Sequence, residues 1–97
     1  MFDKMKQVME MKRQAEQIKK ELDAEQVTVE EVRGIKVVIT GSQKFKSIEI
    51  DEAKLNPENK SSIEHDVLRS VNAAIKESQN IAAKKMKSMM PGGFPGL

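Results

Sequence analysis

The spacing of apolar residues changes twice along this chain, and the change limits the folds open to it. Apolar side chains recur every three or four positions in residues 3–22, every second position within residues 26–50, and every three or four positions again in residues 61–90. A period near 3.6 is typical of an amphipathic helix, and a period of two is typical of a half-buried strand. The pattern therefore predicts a long helix, a β region and a second long helix, in that order.

An apolar stripe defines the first helix. Its members are Val8, Met11, Ala15, Ile18 and Leu22. Asp3 lies just ahead of this stripe and is a candidate N-cap, because a short polar side chain there can accept a hydrogen bond from a free N–H of the first turn. At the usual rise per residue, we expect this helix to be about 30 Å long.

Three short strands are predicted by the alternation in residues 26–50. Gly34 and the pair Gly41 and Ser42 separate them, and we expect these residues to form the turns. Strands joined by turns this short run antiparallel, which gives a three-stranded meander with one face open to the helices. The expected fold class is therefore α+β.

A capping box marks the expected start of the second helix. Ser61 and Glu64 are three positions apart, so that each side chain can reach a free N–H of the first turn. A helix that continued to Pro91 would be about 40 Å long. Its apolar side is made of Leu68, Val71, Ile75, Ser78, Ala82 and Met86.

The two helices are too long for the sheet to cover. Strands of this size extend only about 17–20 Å, whereas both helices stay amphipathic to their ends. A second copy of the chain is the simplest cover, so we predict a homodimer. The expected interface residues are Met5, Val8, Met9, Leu68, Val71, Ile75 and Met86. We expect one domain in residues 1–90 and a flexible Pro/Gly-rich tail in residues 91–97.

Composition argues against several classes of function. The chain has no cysteine, and its single histidine, His65, has helical neighbours that point in other directions, so we expect no metal site. The usual catalytic and nucleotide-binding signatures are missing, so we predict neither an enzyme nor a cofactor. The sequence has no apolar run of about 20 residues and no apolar signal core near Met1, so we expect a cytoplasmic protein without a membrane span.

Positive charge is concentrated on the two predicted helices, although the net charge is only +2. The cations that we single out are Lys12, Arg13, Lys19 and Lys20 on the first helix and Lys84, Lys85 and Lys87 on the second. Such residues can neutralise nucleic-acid phosphates. Lysines near a helix C-terminus also complement the helix dipole and keep a surface soluble, so the residues alone leave both interpretations open.

Several short segments follow one another along this chain in a fixed order. After a helix rich in Met, Lys and Gln come GIKVVITG at residues 34–41, IEID at residues 48–51, VNAAIK at residues 71–76 and MPGGFPGL at residues 90–97. Together these segments resemble the YbaB/EbfC family of bacterial nucleoid-associated proteins. The resemblance covers essentially the whole chain. It implies an α-β-β-β-α protomer and a dimer whose helices project like the arms of tweezers.

The resemblance also implies binding to double-stranded DNA in the nucleoid with limited sequence preference, and a role in chromosome organisation, gene regulation or DNA repair. It therefore favours DNA phosphates as the partners of the seven helical cations, without a small-molecule substrate. The alternative is a protein-interaction adaptor that uses the Met-rich helix faces and the tail around Phe94, with the lysines only as solubilising groups.

Overall fold

The elements follow the predicted α+β order in a computed structural model, which describes residues 2–89. They are α1 (Phe2–Ala24), β1 (Gln26–Val32), β2 (Ile35–Thr40), β3 (Phe45–Ile50), two short 3-10 helices (Glu52–Lys54 and Pro57–Asn59) and α2 (Lys60–Met89). The predicted tail, residues 91–97, lies outside the described residues.

The three strands form one antiparallel sheet in the order β1-β2-β3, as the alternation predicted. Val37 of β2 pairs with Val29 of β1 and with Ile48 of β3. Gly34 forms the β1–β2 turn with a φ of 91°, a left-handed conformation that glycine adopts without steric cost. A Cβ added there would lie 2.7 Å from the flexible end of the Lys54 side chain, which can move away, so it is the backbone conformation that favours glycine at this turn.

The core lies between the sheet and α2. Ile35, Val37 and Ile39 alternate along β2 and are fully buried, and Ala74 of α2 is buried against them. Because β2 is the central strand, its inward side chains are covered by α2 above and by neighbouring strands on both sides. The alternation of apolar residues in β2 thus forms the centre of the core, a role that the sequence did not assign to any one of the three strands.

Both helices begin earlier than predicted. Asn56 accepts a hydrogen bond from the Glu58 amide at 3.1 Å, and Pro57 opens the short 3-10 helix that continues into α2. Lys60 already has helical dihedral angles, φ −50° and ψ −54°, so Ser61 lies inside the first turn. The predicted capping box is therefore wrong, because an extended Asn followed by Pro starts the helical conformation sooner.

Two further observations complete this correction. The Glu64 carboxylate lies 3.8 Å from the Lys60 ammonium, where it makes an ion pair of (i, i+4) spacing. At the other end of the chain, α1 starts at Phe2, so Asp3 lies within the first turn and is not the N-cap. An acidic side chain in that position still interacts favourably with the helix dipole.

The molecule is elongated, with extents of 66 × 22 × 18 Å. By a rise of 1.5 Å per residue, α1 with 23 residues is about 34 Å long and α2 with 30 residues about 45 Å. On α1, Ile18 and Leu22 are buried against the body, whereas every side chain from Asp3 to Gln17 is exposed in the single chain. In the part of the chain that the structure describes, neither helix is long and apolar enough to cross a membrane.

Candidate nucleic-acid interface

The four predicted cations of α1 are exposed, but they do not share one face. At about 100° per residue, Arg13 and Lys20 lie on the side of α1 opposite to the buried Ile18. Lys12 and Lys19 lie to one flank, and Lys19 borders a groove between the two helices. The first helix thus presents positive charge over a broad outer surface.

The three predicted cations of α2 differ in their surroundings. Lys84 and Lys87 are exposed. The ammonium of Lys85 lies 3.9 Å from a carboxylate oxygen of Glu21 and 3.7 Å from one of Glu25, and its side chain is 29% exposed. Lys85 therefore connects the end of α2 to the end of α1, while its two lysine neighbours remain open to solvent.

A polar cluster that the sequence did not reveal fixes the end of α1 to the β2–β3 turn. Ser42 donates a hydrogen bond to the Asp23 carboxylate, and its oxygen lies 2.9 Å from the hydroxyl oxygen of Thr40. The Lys44 ammonium lies 3.7 Å from the same carboxylate. The Ser42 hydrogen bond lowers the pKa of Asp23, with a smaller contribution from the Lys44 charge, against the opposing effect of burial.

Backbone contacts strengthen this junction. The Gly41 amide donates to the carbonyl oxygens of Leu22 at 3.0 Å and Glu25 at 2.9 Å. A Cβ at Gly41 would lie 2.9 Å from the Leu22 side chain and 3.2 Å from that of Ile81. The turn glycine predicted from the sequence is thus also a point where α1, α2 and the sheet meet at close range.

An apolar surface remains uncovered along β3. Phe45 and Ile48 pair with Ile39 and Val37, so their side chains lie on the core face of the sheet, yet they are 43% and 45% exposed. The reason is that α2 packs on β1 and β2. Sequence reasoning predicted the helical part of an interface but named no residue of β3.

The predicted interface residues of α2 face this uncovered strand. Arg69, Asn72 and Lys76 line a groove beside β1, and at about 100° per residue Leu68, Val71 and Ile75 lie on the side of the helix away from that groove, the side nearer β3 in the sheet order. Among the predicted residues, Met5, Val8, Met9 and Leu68 are exposed, whereas Val71, Ile75 and Met86 are half-buried.

A small apolar groove lies where α1 and α2 meet. It is lined by Met11, Ala15, Ile18, Leu22 and Met86, with Gln14 and Lys19 at its border. Its volume is about 390 Å³, near the lower limit of ligand pockets. Met86 lies on the same side of α2 as Leu68 by helical spacing, so the groove and Leu68 leave apolar side chains exposed on one side of this helix.

Comparisons with known proteins agree with the resemblance in the sequence. A model of the YbaB/EbfC DNA-binding family matches residues 1–94. An uncharacterized protein of Mycoplasma pneumoniae is 37% identical over 97 residues, which cover 95% of this chain and 96% of that protein. A nucleoid-associated protein of Pelotomaculum thermopropionicum is 34% identical over 96% of this chain and 90% of that protein. A nucleoid-associated protein of Mycoplasmopsis pulmonis is 32% identical over 92% of this chain and 87% of that protein.

Proposed function

The chain belongs to the YbaB/EbfC DNA-binding family, and on that basis we propose that it is a nucleoid-associated protein that binds double-stranded DNA as a homodimer. The proposed contacts are made mainly to backbone phosphates and carry little sequence preference. The single observation that supports this most directly is the match to a DNA-binding family over residues 1–94. Two relatives that cover nearly the whole chain are named nucleoid-associated proteins.

Exposed cations supply a physical means of binding. Lys and Arg side chains that neutralise phosphates release condensed counterions, so the affinity falls steeply with salt and depends little on sequence. The proposed contacts are Lys12, Arg13, Lys19, Lys20, Lys84, Lys85 and Lys87. Lys85 is the weakest of these candidates, because its ammonium is shared with Glu21 and Glu25. We propose that no catalysis and no cofactor are involved.

The uncovered apolar surface supports the homodimer. Phe45 and Ile48 of β3, with Leu68 of α2, are large apolar side chains that are each more than two fifths exposed in the single chain. Large apolar side chains left exposed on neighbouring elements favour an interaction site there. A two-fold arrangement places the same surface on both protomers and covers β3 and the free side of α2 together.

Projecting helices follow from the same arrangement. The side chains from Asp3 to Gln17 are all exposed in the single chain, although Met11 and Ala15 line the groove shared with Met86. We term this segment of α1 the α1 arm and propose that it projects from the dimer. In a dimer, two arms and two α2 ends present their cations on one particle. Such a particle is suited to hold one duplex between its arms or to connect two duplexes.

Fluorescence anisotropy of two labelled duplexes of unrelated sequence, each about 30 base pairs long, tests the proposal at two salt concentrations. We expect similar Kd values for the two duplexes and a steep loss of affinity with salt. Strong preference for one duplex, with weak salt dependence, would contradict phosphate-based binding. Failure to bind either duplex at low salt would refute the proposal as a whole.

The protein-interaction alternative has one observation in its favour. Met5 and Met9 are 70% and 63% exposed on the α1 arm, and methionine surfaces adapt readily to partners. A pull-down from extract with and without nuclease separates the two functions. Partners that persist after nuclease treatment support the adaptor, and partners that disappear support nucleic-acid binding.

A further inference from the structure

One side of α2 combines cations, amides and small residues along much of the helix. We term this side the outer face of α2, and it consists of Arg69, Asn72, Lys76, Asn80, Ala83 and Lys87. All six side chains are exposed. The face extends over about 27 Å at 1.5 Å per residue, and at about 100° per residue it is turned away from the buried Ala74.

Carboxylates are nearly absent from this face. Between residues 69 and 87 the only acid is Glu77, which is half-buried toward β1. The other acids of α2 are engaged elsewhere, Glu64 with Lys60 at 3.8 Å and Asp66 with Lys54 at 4.0 Å. The charge that the outer face presents to solvent is therefore positive.

Acids of β1 border the face on one side only. Glu30, Glu31 and Glu77 line the groove between β1 and α2 that Arg69 and Lys76 also line. The Arg69 guanidinium lies 3.8 Å from the Glu31 carboxylate, with both side chains about half exposed. Ion pairs this exposed are weak, so a phosphate can take the place of Glu31.

We propose that the outer face of α2 enters the major groove of the duplex, with Arg69, Lys76 and Lys87 on flanking phosphates and the amides of Asn72 and Asn80 on base edges. The inference rests on the proposed DNA binding and specifies the surface that performs it. The major groove is wide enough for an α-helix, and Asn binds adenine there in a bidentate manner. Ala83 lets the helix backbone approach closely.

This surface remains available in the proposed dimer. The helical spacing puts Leu68, Val71 and Ile75 on one side of α2, whereas Arg69, Asn72 and Lys76 lie on the other side, toward β1. Covering the first set by a second protomer leaves the second set open. A dimer therefore carries two outer faces in addition to the cations of its α1 arms.

The first test compares charge removal on and off the outer face. Arg69→Ala with Lys76→Ala removes two cations from the face, and Lys36→Ala with Lys46→Ala removes two exposed cations from the sheet. We expect the first pair to lower the slope of log K against log salt by about 2, since each phosphate contact contributes about 0.9. The control pair should leave the slope unchanged. Equal slopes for both pairs would overturn the inference.

The second test removes an acid that competes with phosphate. Glu31→Gln frees Arg69, so we expect a lower Kd for any duplex than with Glu49→Gln, which makes the same change of net charge on β3. Equal Kd values for the two variants would contradict a role for Arg69. Thermal unfolding of each variant verifies that the fold is kept.

The third test addresses the amides. Asn72→Ala with Asn80→Ala should raise the Kd for an A·T-rich duplex about tenfold, by loss of bidentate contacts to adenine, should raise the Kd for a duplex of G·C pairs alone less, and should leave the salt slope unchanged. Gln7→Ala with Gln14→Ala, which also removes two exposed amides, is the matched control on α1. An equal change of Kd for both duplexes, or no change for either, would overturn the base-edge contacts. If the unaltered protein binds no duplex, the proposed function itself fails; if it binds but the outer-face variants behave as the controls do, only this inference fails.

Discussion

The hydroxyl of Ser78 donates a buried hydrogen bond of 2.7 Å to the carbonyl oxygen of Thr40, which joins the middle of α2 to the end of β2. Both residues are fully buried. A serine on the apolar side of a long helix is thus explained by a specific backbone acceptor. The bond fixes where α2 crosses the sheet, immediately beside the junction that holds α1.

Ser78→Ala should lower the free energy of unfolding by about 1 kcal/mol, the usual net value of one hydrogen bond. The loss stays moderate because the Thr40 carbonyl also accepts from the Gln43 amide at 3.1 Å. Ser88→Ala is the matched control, since the Ser88 hydroxyl also donates to a backbone carbonyl oxygen, that of Lys85, but at an exposed position. Urea denaturation of both variants measures the difference, and equal stability would refute this role of Ser78.

Asp23→Asn should destabilise the protein near neutral pH and have little effect in acid. The pKa of Asp23 is lowered in the fold, chiefly by the Ser42 hydrogen bond, from an ordinary value of 3.8. A lowered folded-state pKa contributes stability above the unfolded pKa and loses it as pH falls through the folded one. Denaturation of both proteins from pH 7 to about pH 2 measures this difference, which should shrink as the carboxylate is protonated. Asp3→Asn serves as control, and a difference independent of pH would contradict the argument.

Lys84→Ala and Lys85→Ala should separate DNA binding from stability. Lys84 is exposed, so its loss should reduce the salt slope by about 1 and leave unfolding unchanged. Lys85 is paired with Glu21 and Glu25, so its loss should cost at most about 1 kcal/mol of stability and affect the slope less. Anisotropy and urea denaturation of the same preparations measure both quantities. A larger change of the salt slope for Lys85→Ala than for Lys84→Ala would show that Lys85, not Lys84, is the stronger DNA contact.

Ile48→Asp should dissociate the proposed homodimer. A carboxylate on the uncovered face of β3 would have to be buried between protomers, and burial of an unpaired charge is strongly unfavourable. Ser47→Asp adds the same charge to the opposite face of the strand and should leave the dimer intact. Sedimentation equilibrium distinguishes a mass of 10.9 kDa from twice that value. Identical masses for the two variants would refute β3 as the interface.

The elements of this fold could be predicted from the sequence because its hydrophobic period is consistent over long segments. Both turns were placed at glycines, and the family resemblance, which is confirmed, needed only the order of short segments. The helix starts were predicted less well. Ser61 and Glu64 have the spacing of a capping box, but Asn56 and Pro57 lie earlier in the chain and start the helical conformation before Ser61.

The contacts between elements could not be predicted, because they depend on how α1 crosses the body. Helical spacing places Lys85, three positions after Ala82, nearer the apolar side of α2 than Lys84, but only the packing of the helices brings it to Glu21 and Glu25. The same holds for Asp23 and Ser42, which are far apart in sequence. The DNA contacts and the dimer interface remain predictions that await the experiments above.

The junction of Asp23, Ser42 and Gly41 fixes the C-terminal end of α1, so it sets the direction of the whole helix. From Leu22, the last buried residue of α1, the helix extends about 28 Å to Asp3 at 1.5 Å per residue. A tilt of about 10° at the junction therefore displaces the tip by about 5 Å, more than the 3.4 Å rise between successive phosphates of one DNA strand. The hydrogen bonds at the C-terminal end of α1 thus set the position of its N-terminal end, and with it the diameter of a partner that two such helices can hold between them.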